Sequence, residues 1–184
     1  LLSLVNSLLE QKQKVVIWAH FIGTLELIIK HLIQEEYYCK LIYGKTPIEQ
    51  TSIEEEETRE NIREEFIDPN SGLDILVANP AACGESISLH KTCYHAIYYD
   101  LSYNCAQYLQ SLDRIHRVGG SENHQANYYF LQYKNTIDKD IKLNLDKKAK
   151  KMYDVIDEDF TIYSLDMFED DSESLAYERL LGRR

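Results

Sequence analysis

Five short apolar runs recur along the chain, and segments with the spacing of amphipathic helices lie between them. The runs cover residues 15–19, 37–43, 75–78, 95–99 and 125–131. A compact run such as the one at 75–78, Ile-Leu-Val-Ala, is typical of a parallel strand that is buried on both faces. Strands that alternate with helices build one mainly parallel sheet. The pattern therefore predicts an α/β fold with helices on both faces of the sheet.

The length and the charge distribution set outer limits. The 184 residues suit one domain with a small appendage, so we expect a domain over residues 1–152. An acidic extension, helical or partly mobile, is expected over residues 153–184. The net charge of −11 argues at first against a nucleic-acid partner. Residues 71–134 nevertheless carry 4 basic and 5 acidic residues, and residues 135–151 carry 6 Lys and 3 Asp. Most of the acidic residues lie outside these two ranges, so the net charge does not exclude a nucleic-acid partner.

Hydropathy and cysteine usage indicate the compartment. No apolar run approaches the length of a membrane span and no signal peptide is visible. We therefore expect no membrane partner and a cytoplasmic or nucleoid-associated protein. The 4 cysteines form no Cys-x-x-Cys pair and are expected to be reduced and mostly buried. His90, Cys93 and His95 lack a convincing fourth ligand, so no metal site is predicted.

The segment QYLQSLDRIHRVG, residues 107–119, carries the densest set of polar groups that suit an anion. Asn104 precedes it as a candidate helix cap. On a helix through residue 119, Gln110, Arg114 and Arg117 would project from one face, because they are spaced i, i+4 and i+7. Arginine offers a planar fork that matches phosphate oxygens. The alternative is a solvated helix face with an ion pair between Asp113 and Arg117.

A loop of small residues follows the predicted strand at 75–78, and Gly84 would let the backbone approach a ligand closely. Together with residues 110–119, this loop resembles the fifth and sixth motifs of the second RecA-like lobe of Swi/Snf-type ATPases, within the DEAD/H helicase superfamily. Residues 110–119 meet the pattern Gln-x-x-Asp-Arg-x-His-Arg-x-Gly at every specified position. The fifth motif keeps Gly84, Ile87 and Leu89, but has Ser86 where the family commonly has Gly.

The resemblance implies a three-layer RecA-like lobe of a nucleic-acid-dependent ATPase that moves along duplex DNA. ATP and magnesium would be bound mainly by an N-terminal RecA-like lobe of the same parent protein, so this chain alone is expected to be inactive. Arg114 and Arg117 would reach the γ-phosphate as arginine fingers, with Arg117 the first choice. The remaining site residues implied by the resemblance are Gln110, Gly84, Glu85 and Ser86 near the nucleotide, and His20, Phe21 and Ser88 near the nucleic acid.

Two further stretches resemble a phosphate-binding loop and a metal-binding cluster, respectively. Gly44-Lys45-Thr46 matches the end of a phosphate-binding loop, but Cys39 stands where that motif needs another glycine. We therefore expect no phosphate loop here, and interpret Thr46 and Pro47 as the cap and first position of a helix. The consecutive glutamates at 54–57 would point in different directions on a helix, which favours a solvated face over a metal site.

The sequence also allows other interpretations, of His20 and of the whole chain. His20 is equally well explained as a polar residue at the end of a strand. The whole chain could also be a non-catalytic RecA-like module that binds protein or nucleic acid, or an unrelated doubly wound domain of the flavodoxin type. An ATPase lobe elsewhere in the parent protein would favour the DNA-translocating ATPase. Tight binding of a flavin by this chain would favour the flavodoxin-type domain.

Overall fold

The computed structural model describes residues 1–48, 57–83, 87–116 and 124–157. These residues form five strands and five helices that largely alternate along the chain. In chain order they are α1 (Leu2–Glu10), β1 (Lys14–Trp18), α2 (Ile22–Gln34), β2 (Cys39–Ile42), α3 (Arg59–Ile67), β3 (Ile75–Ala78), β4 (Cys93–Tyr98), α4 (Cys105–Leu112), β5 (Asn127–Phe130) and α5 (Ile137–Asp157).

The strands form one sheet in the order β2-β3-β1-β4-β5, and every pairing is parallel. β1 lies at the centre, where Val16 is opposite Leu76 of β3 on one side and Ala96 of β4 on the other. All five residues of β1 and all four of β3 are buried. The apolar runs therefore correctly predicted parallel strands, which are fully buried in β1 and β3 and mostly half-buried in the edge strands β2 and β5.

Helices cover both faces of the sheet, because successive residues of a strand point to opposite sides. Val15 and Ile17 of β1 pack with apolar residues of α1 and α2. Val16 and Trp18 pack with apolar residues of α3, α4 and α5 on the other face. The predicted three-layer α/β architecture with helices on both faces is confirmed.

α4 begins where the sequence predicts but ends earlier. The side chain of Asn104 accepts a hydrogen bond from the Gln107 amide at 3.1 Å, which confirms the predicted cap. The helix stops at Leu112 and does not continue to residue 119. The amide of Ile115 then bonds back to the Leu112 carbonyl, three residues earlier, and the Ile115 side chain is fully buried. The prediction that the helix continues past Leu112 is therefore wrong for residues 113–116, where the chain turns and buries the Ile115 side chain.

The helix predicted to start at Thr46 and Pro47 does not begin there. The Thr46 hydroxyl accepts from the Tyr43 amide at 3.1 Å and closes a turn after β2. α3 begins at Arg59, and the Thr58 hydroxyl accepts from the Asn61 amide as its cap. Residues 49–56, including the glutamates at 54–56, lie outside the described residues.

α5 spans Ile137–Asp157 and therefore extends five residues beyond residue 152, where the predicted domain ends. Ile141 and Leu145, four residues apart on α5, are buried against the sheet. Residues 158–184 lie outside the described residues, so the division into a domain and an acidic extension stays a prediction. Within the described ranges, no helix combines the length and the apolar character needed to cross a membrane.

Candidate functional site

The loops that follow β1, β3 and β4 meet at one edge of the sheet, because the carboxyl ends of parallel strands share an edge. The His20 amide donates to the Asp100 carboxylate at 2.6 Å. The Asn79 side-chain amide donates to the His20 carbonyl at 2.8 Å and to the Ala19 carbonyl at 3.3 Å. Polar groups from the two neighbouring strands therefore hold the exit of β1 from both sides.

This edge contains the topological switch point of the sheet. The chain leaves β1 through α2 on one face and leaves the adjacent β4 through α4 on the other face. Open α/β sheets place ligands in the crevice that such a reversal creates. His20 lies at this point, two residues after the end of β1. The next residue, Phe21, is 62% exposed and offers an aromatic surface to solvent.

Burial shifts the pKa values of the two titratable groups at the switch point, Asp100 and His20. Burial raises the pKa of Asp100, although the hydrogen bond from the His20 amide opposes that shift. Burial lowers the pKa of the His20 side chain, against the attraction of the Asp100 carboxylate. A neutral imidazole at neutral pH can donate or accept a hydrogen bond, so His20 suits a polar contact better than a charge contact.

The second part of the loop after β3 is anchored by apolar side chains. Ile87 and Leu89 are fully buried, and Ser88 between them is half-buried. The Ser88 hydroxyl lies 2.6 Å from Nδ1 of His90. The candidate nucleotide-contacting residues of this loop, Gly84, Glu85 and Ser86, lie outside the described residues, so their role stays a prediction.

One main-chain hydrogen bond joins this loop to the arginine-bearing segment. The Leu89 amide donates to the Arg114 carbonyl at 2.9 Å. Burial raises the pKa of the Cys83 thiol to about 12, and the charges of Arg114 and Arg59 act against that shift. The Arg59 guanidinium contacts the same loop, donating to the carbonyl of Ala82, next to Cys83, at 2.7 Å. Gln110 is exposed on α4, and Arg117 lies outside the described residues.

Arg59 belongs to this edge, and the sequence analysis missed it. Its guanidinium donates to four main-chain carbonyls of two loops, those of Thr46, Ala82, Tyr43 and Gly44. One signal was present in the sequence: Arg59 follows Thr58 at the start of a helix, where a cation is unfavourable unless it has its own acceptors. Asp100 carried a comparable signal, as an acid placed directly after a buried strand.

The histidines and cysteines considered as metal ligands have other partners. Nδ1 of His95 lies 3.1 Å from the Tyr129 hydroxyl, and the buried thiol of Cys93 has its pKa raised to about 12 by desolvation. All four cysteines are free thiols. Among the described residues, no three or more His, Cys, Asp or Glu side chains lie together in a way that could hold a metal ion.

Comparison with known sequences matches the family described as "Helicase conserved C-terminal domain" over residues 1–119. The SNF2 domain-containing protein CLASSY 4 of Arabidopsis thaliana is 30% identical over 125 residues, which are 68% of this chain and 10% of that protein. The SWI/SNF-related matrix-associated actin-dependent regulator of chromatin subfamily A member 1 of Homo sapiens is 30% identical over 162 residues. These cover 84% of this chain and 14% of that protein, so the chain spans a small part of the relatives it matches.

A solved structure shares the fold. The C-terminal part of the Fun30 ATPase domain matches 95% of this chain and 50% of its own, with a TM-score of 0.64 and 21% identity. The family match includes all of β1–β4, α4 and Arg114. The chain therefore belongs to the helicase conserved C-terminal domain family and is a RecA-like C-terminal lobe of the Swi/Snf type.

Proposed function

We propose that this chain is the second motor lobe of a nucleic-acid-dependent ATPase that translocates on duplex DNA. The family assignment supports an ATPase in the parent protein. The proposal adds that Arg114 and Arg117 act on ATP held by an N-terminal RecA-like lobe outside this chain. This chain alone then hydrolyses no ATP at a useful rate, because it has no phosphate loop.

The hydrogen bond between Leu89 and Arg114 carries the proposal. It joins the two segments whose residues resemble the fifth and sixth motifs, at the sheet edge where α/β folds bind ligands. The Arg114 side chain is half-exposed there. A guanidinium in this position fits a phosphate group, because its planar fork can donate two parallel hydrogen bonds.

The residues at this edge of the sheet can form only one part of a nucleotide-binding site. Its arginines offer positive charge, but the described part of the edge offers no carboxylate set for magnesium. Magnesium and the phosphate loop would belong to the other lobe. In the transition state, negative charge spreads over the γ-phosphoryl oxygens, and an arginine placed across the cleft stabilises that charge. Such arginines contribute roughly 10³–10⁵ in rate in other nucleotide hydrolases. Gln110 would orient Arg114 or contact the nucleotide.

We place the nucleic acid on the same edge, at His20, Phe21 and Ser88. An exposed aromatic ring and half-buried polar groups suit a sugar-phosphate backbone without reading base sequence. The human relative is named as a regulator of chromatin, which favours duplex DNA as the partner. A cellular location on DNA follows from the proposal, and the prediction of a cytoplasmic or nucleoid-associated protein stays open.

ATP hydrolysis by the parent protein with both lobes tests this proposal. Wild type is compared with Arg114→Ala and Arg117→Ala, with and without duplex DNA, and nucleotide binding is measured separately. Arg63→Ala is the control, because Arg63 lies on α3 and pairs with Glu60 on the surface. We expect DNA-stimulated hydrolysis that falls about 10³-fold in at least one finger variant, with binding retained and the control unchanged. A parent protein that binds DNA without hydrolysing ATP would instead be a non-catalytic binding module.

A further inference from the structure

We propose that Arg59 is a positioning residue that fixes the loop after β3, and through it Arg114, for hydrolysis of ATP. The inference rests on the proposed function and assigns a role to a residue outside both recognised motifs. Arg59 lies on α3, between β2 and β3, and its guanidinium reaches the loops that follow both strands.

The contacts of Arg59 join two loops that the chain does not connect directly. Nε donates to the Thr46 carbonyl at 2.9 Å, and Nη1 donates to the Ala82 carbonyl at 2.7 Å. Nη2 adds longer contacts to Tyr43 at 3.3 Å and to Gly44 at 3.4 Å. Hydrogen bonds from a charged donor are about twice as strong as neutral ones. The guanidinium is therefore a firm anchor for the Ala82 end of the loop.

The other end of the same loop is fixed by Arg114. Ala82 and Leu89 are seven residues apart, and each has a main-chain hydrogen bond to an arginine-bearing segment: Ala82 to the Arg59 side chain, Leu89 to the Arg114 carbonyl. Cys83 and Ile87 are almost fully buried between these anchors. Cys83 and Ile87 belong to the same buried apolar cluster as Leu89 and Ile115. Movement of the Ala82 end is therefore transmitted to the Arg114 carbonyl through the packing of these described side chains.

The geometry requires arginine. Three of its nitrogens donate in different directions within one plane, and each direction meets a carbonyl. Lysine retains the charge, but its single ammonium on a flexible stem cannot reach both loops in this fixed arrangement. Arg59→Lys therefore separates the positioning role from the charge.

The test compares Arg59→Lys with Arg63→Lys in the parent protein with both lobes. Arg63 is the matched control, since it lies one turn further along α3 and contacts Glu60. Measurements are the kcat and KM for ATP with duplex DNA, and hydrogen exchange at the Leu89 amide, all at a temperature at which the variants are folded.

We expect kcat of R59K to fall about 10- to 100-fold, as for a catalytic group displaced by about 1 Å. KM should stay within about twofold, because the lost interaction acts in the transition state. Exchange at Leu89 should be faster in R59K only.

Each outcome bears on the inference separately from the proposed function. If wild type shows no DNA-stimulated hydrolysis, the proposed function fails, and Leu89 exchange still reports whether Arg59 holds the loop. If wild type is active and R59K matches R63K in kcat and in Leu89 exchange, the inference is overturned. If R59K does not fold, Arg59→Gln replaces it, and failure of both to fold assigns Arg59 to the fold alone and overturns a positioning role.

Discussion

The Asp100 carboxylate and the His20 amide are joined at 2.6 Å, although 80 residues separate them in the sequence. Asp100 follows β4 and His20 follows the neighbouring β1. The bond lies directly before α2, whose own N-cap residue, Phe21, makes no side-chain cap. Asp100 therefore supplies, from another strand, an anionic acceptor of the kind that helix N-termini favour.

Replacing Asp100 with Ala should reduce the free energy of unfolding by about 1–3 kcal/mol, because the partly buried His20 amide loses a charged acceptor. Asp100→Asn should cost less, since the amide oxygen can still accept. Urea denaturation of the chain measures both. Asp74→Ala is the control: its carboxylate pairs with Lys14 at 3.0 Å but is 48% exposed, so a smaller loss is expected. Equal losses for Asp100→Ala and Asp74→Ala would contradict the capping role.

Stability should also depend on pH through Asp100, because burial raises the pKa of this carboxyl group. The folded state then binds the proton more tightly than the unfolded state. The resulting stabilisation is fully present below the ordinary Asp pKa of about 4 and is lost as the pH rises through the folded value. The stability of wild type minus that of Asp100→Asn should therefore be larger at about pH 3.5 than at pH 7. His20, whose pKa is lowered, titrates in both proteins. A difference that grows with pH would contradict the prediction.

Phe21→Ala should weaken binding of the parent protein to duplex DNA without destabilising the fold. The ring is 62% exposed, so its removal leaves no cavity. Full burial of a phenylalanine side chain is worth about 1.5–3 kcal/mol, which sets the upper limit for contact of this ring with the sugar-phosphate backbone. Ile33→Ala is the control, because Ile33 is 59% exposed at the far end of α2. Affinity is measured by fluorescence anisotropy at fixed salt. Equal affinities for the two variants would remove Phe21 from the DNA contact.

Glu36→Gly should stabilise the chain by up to about 1 kcal/mol, because Glu36 follows α2 with a φ of 62° that glycine adopts without a steric penalty. The adjacent Glu35 has a φ of −88°. Glu35→Gly should therefore destabilise the chain by about 0.5–1 kcal/mol, since glycine only adds freedom to the unfolded state. Thermal unfolding of the two variants checks the opposite signs. Two shifts of the same sign would show that backbone conformation does not decide the effect.

Sequence reasoning succeeded where local signals determine structure. The run at Ile75–Ala78 is a strand with the predicted bounds, and Asn104 is the predicted cap. Both depend on a few neighbouring residues. His20 was expected at the end of a strand, and it lies two residues after β1. That this strand end is the switch point follows only from the order of the strands in the sheet.

The sequence was less informative where distant segments decide the structure. The end of α4 at Leu112 depends on burial of Ile115 and on the bond between Leu89 and Arg114. The helical periodicity of residues 107–119 predicts neither the burial of Ile115 nor this hydrogen bond. Arg59 and Asp100 likewise acquire their roles only through acceptors and donors that tertiary structure brings to them.

The buried pair Tyr98 and Ser111 offers a test of how α4 is held on the sheet. The two hydroxyl oxygens are 2.7 Å apart, and the Ser111 hydroxyl also donates to the Tyr108 carbonyl at 2.6 Å. Tyr98 therefore donates to Ser111. Ser111→Ala leaves the buried Tyr98 hydroxyl without its acceptor, which should cost about 1–3 kcal/mol. Tyr98→Phe leaves Ser111 still donating to the main chain, and should cost only about 0.5–1.5 kcal/mol. Urea denaturation of the two single variants and the double variant measures the coupling. A larger loss for Tyr98→Phe than for Ser111→Ala would contradict this direction of donation.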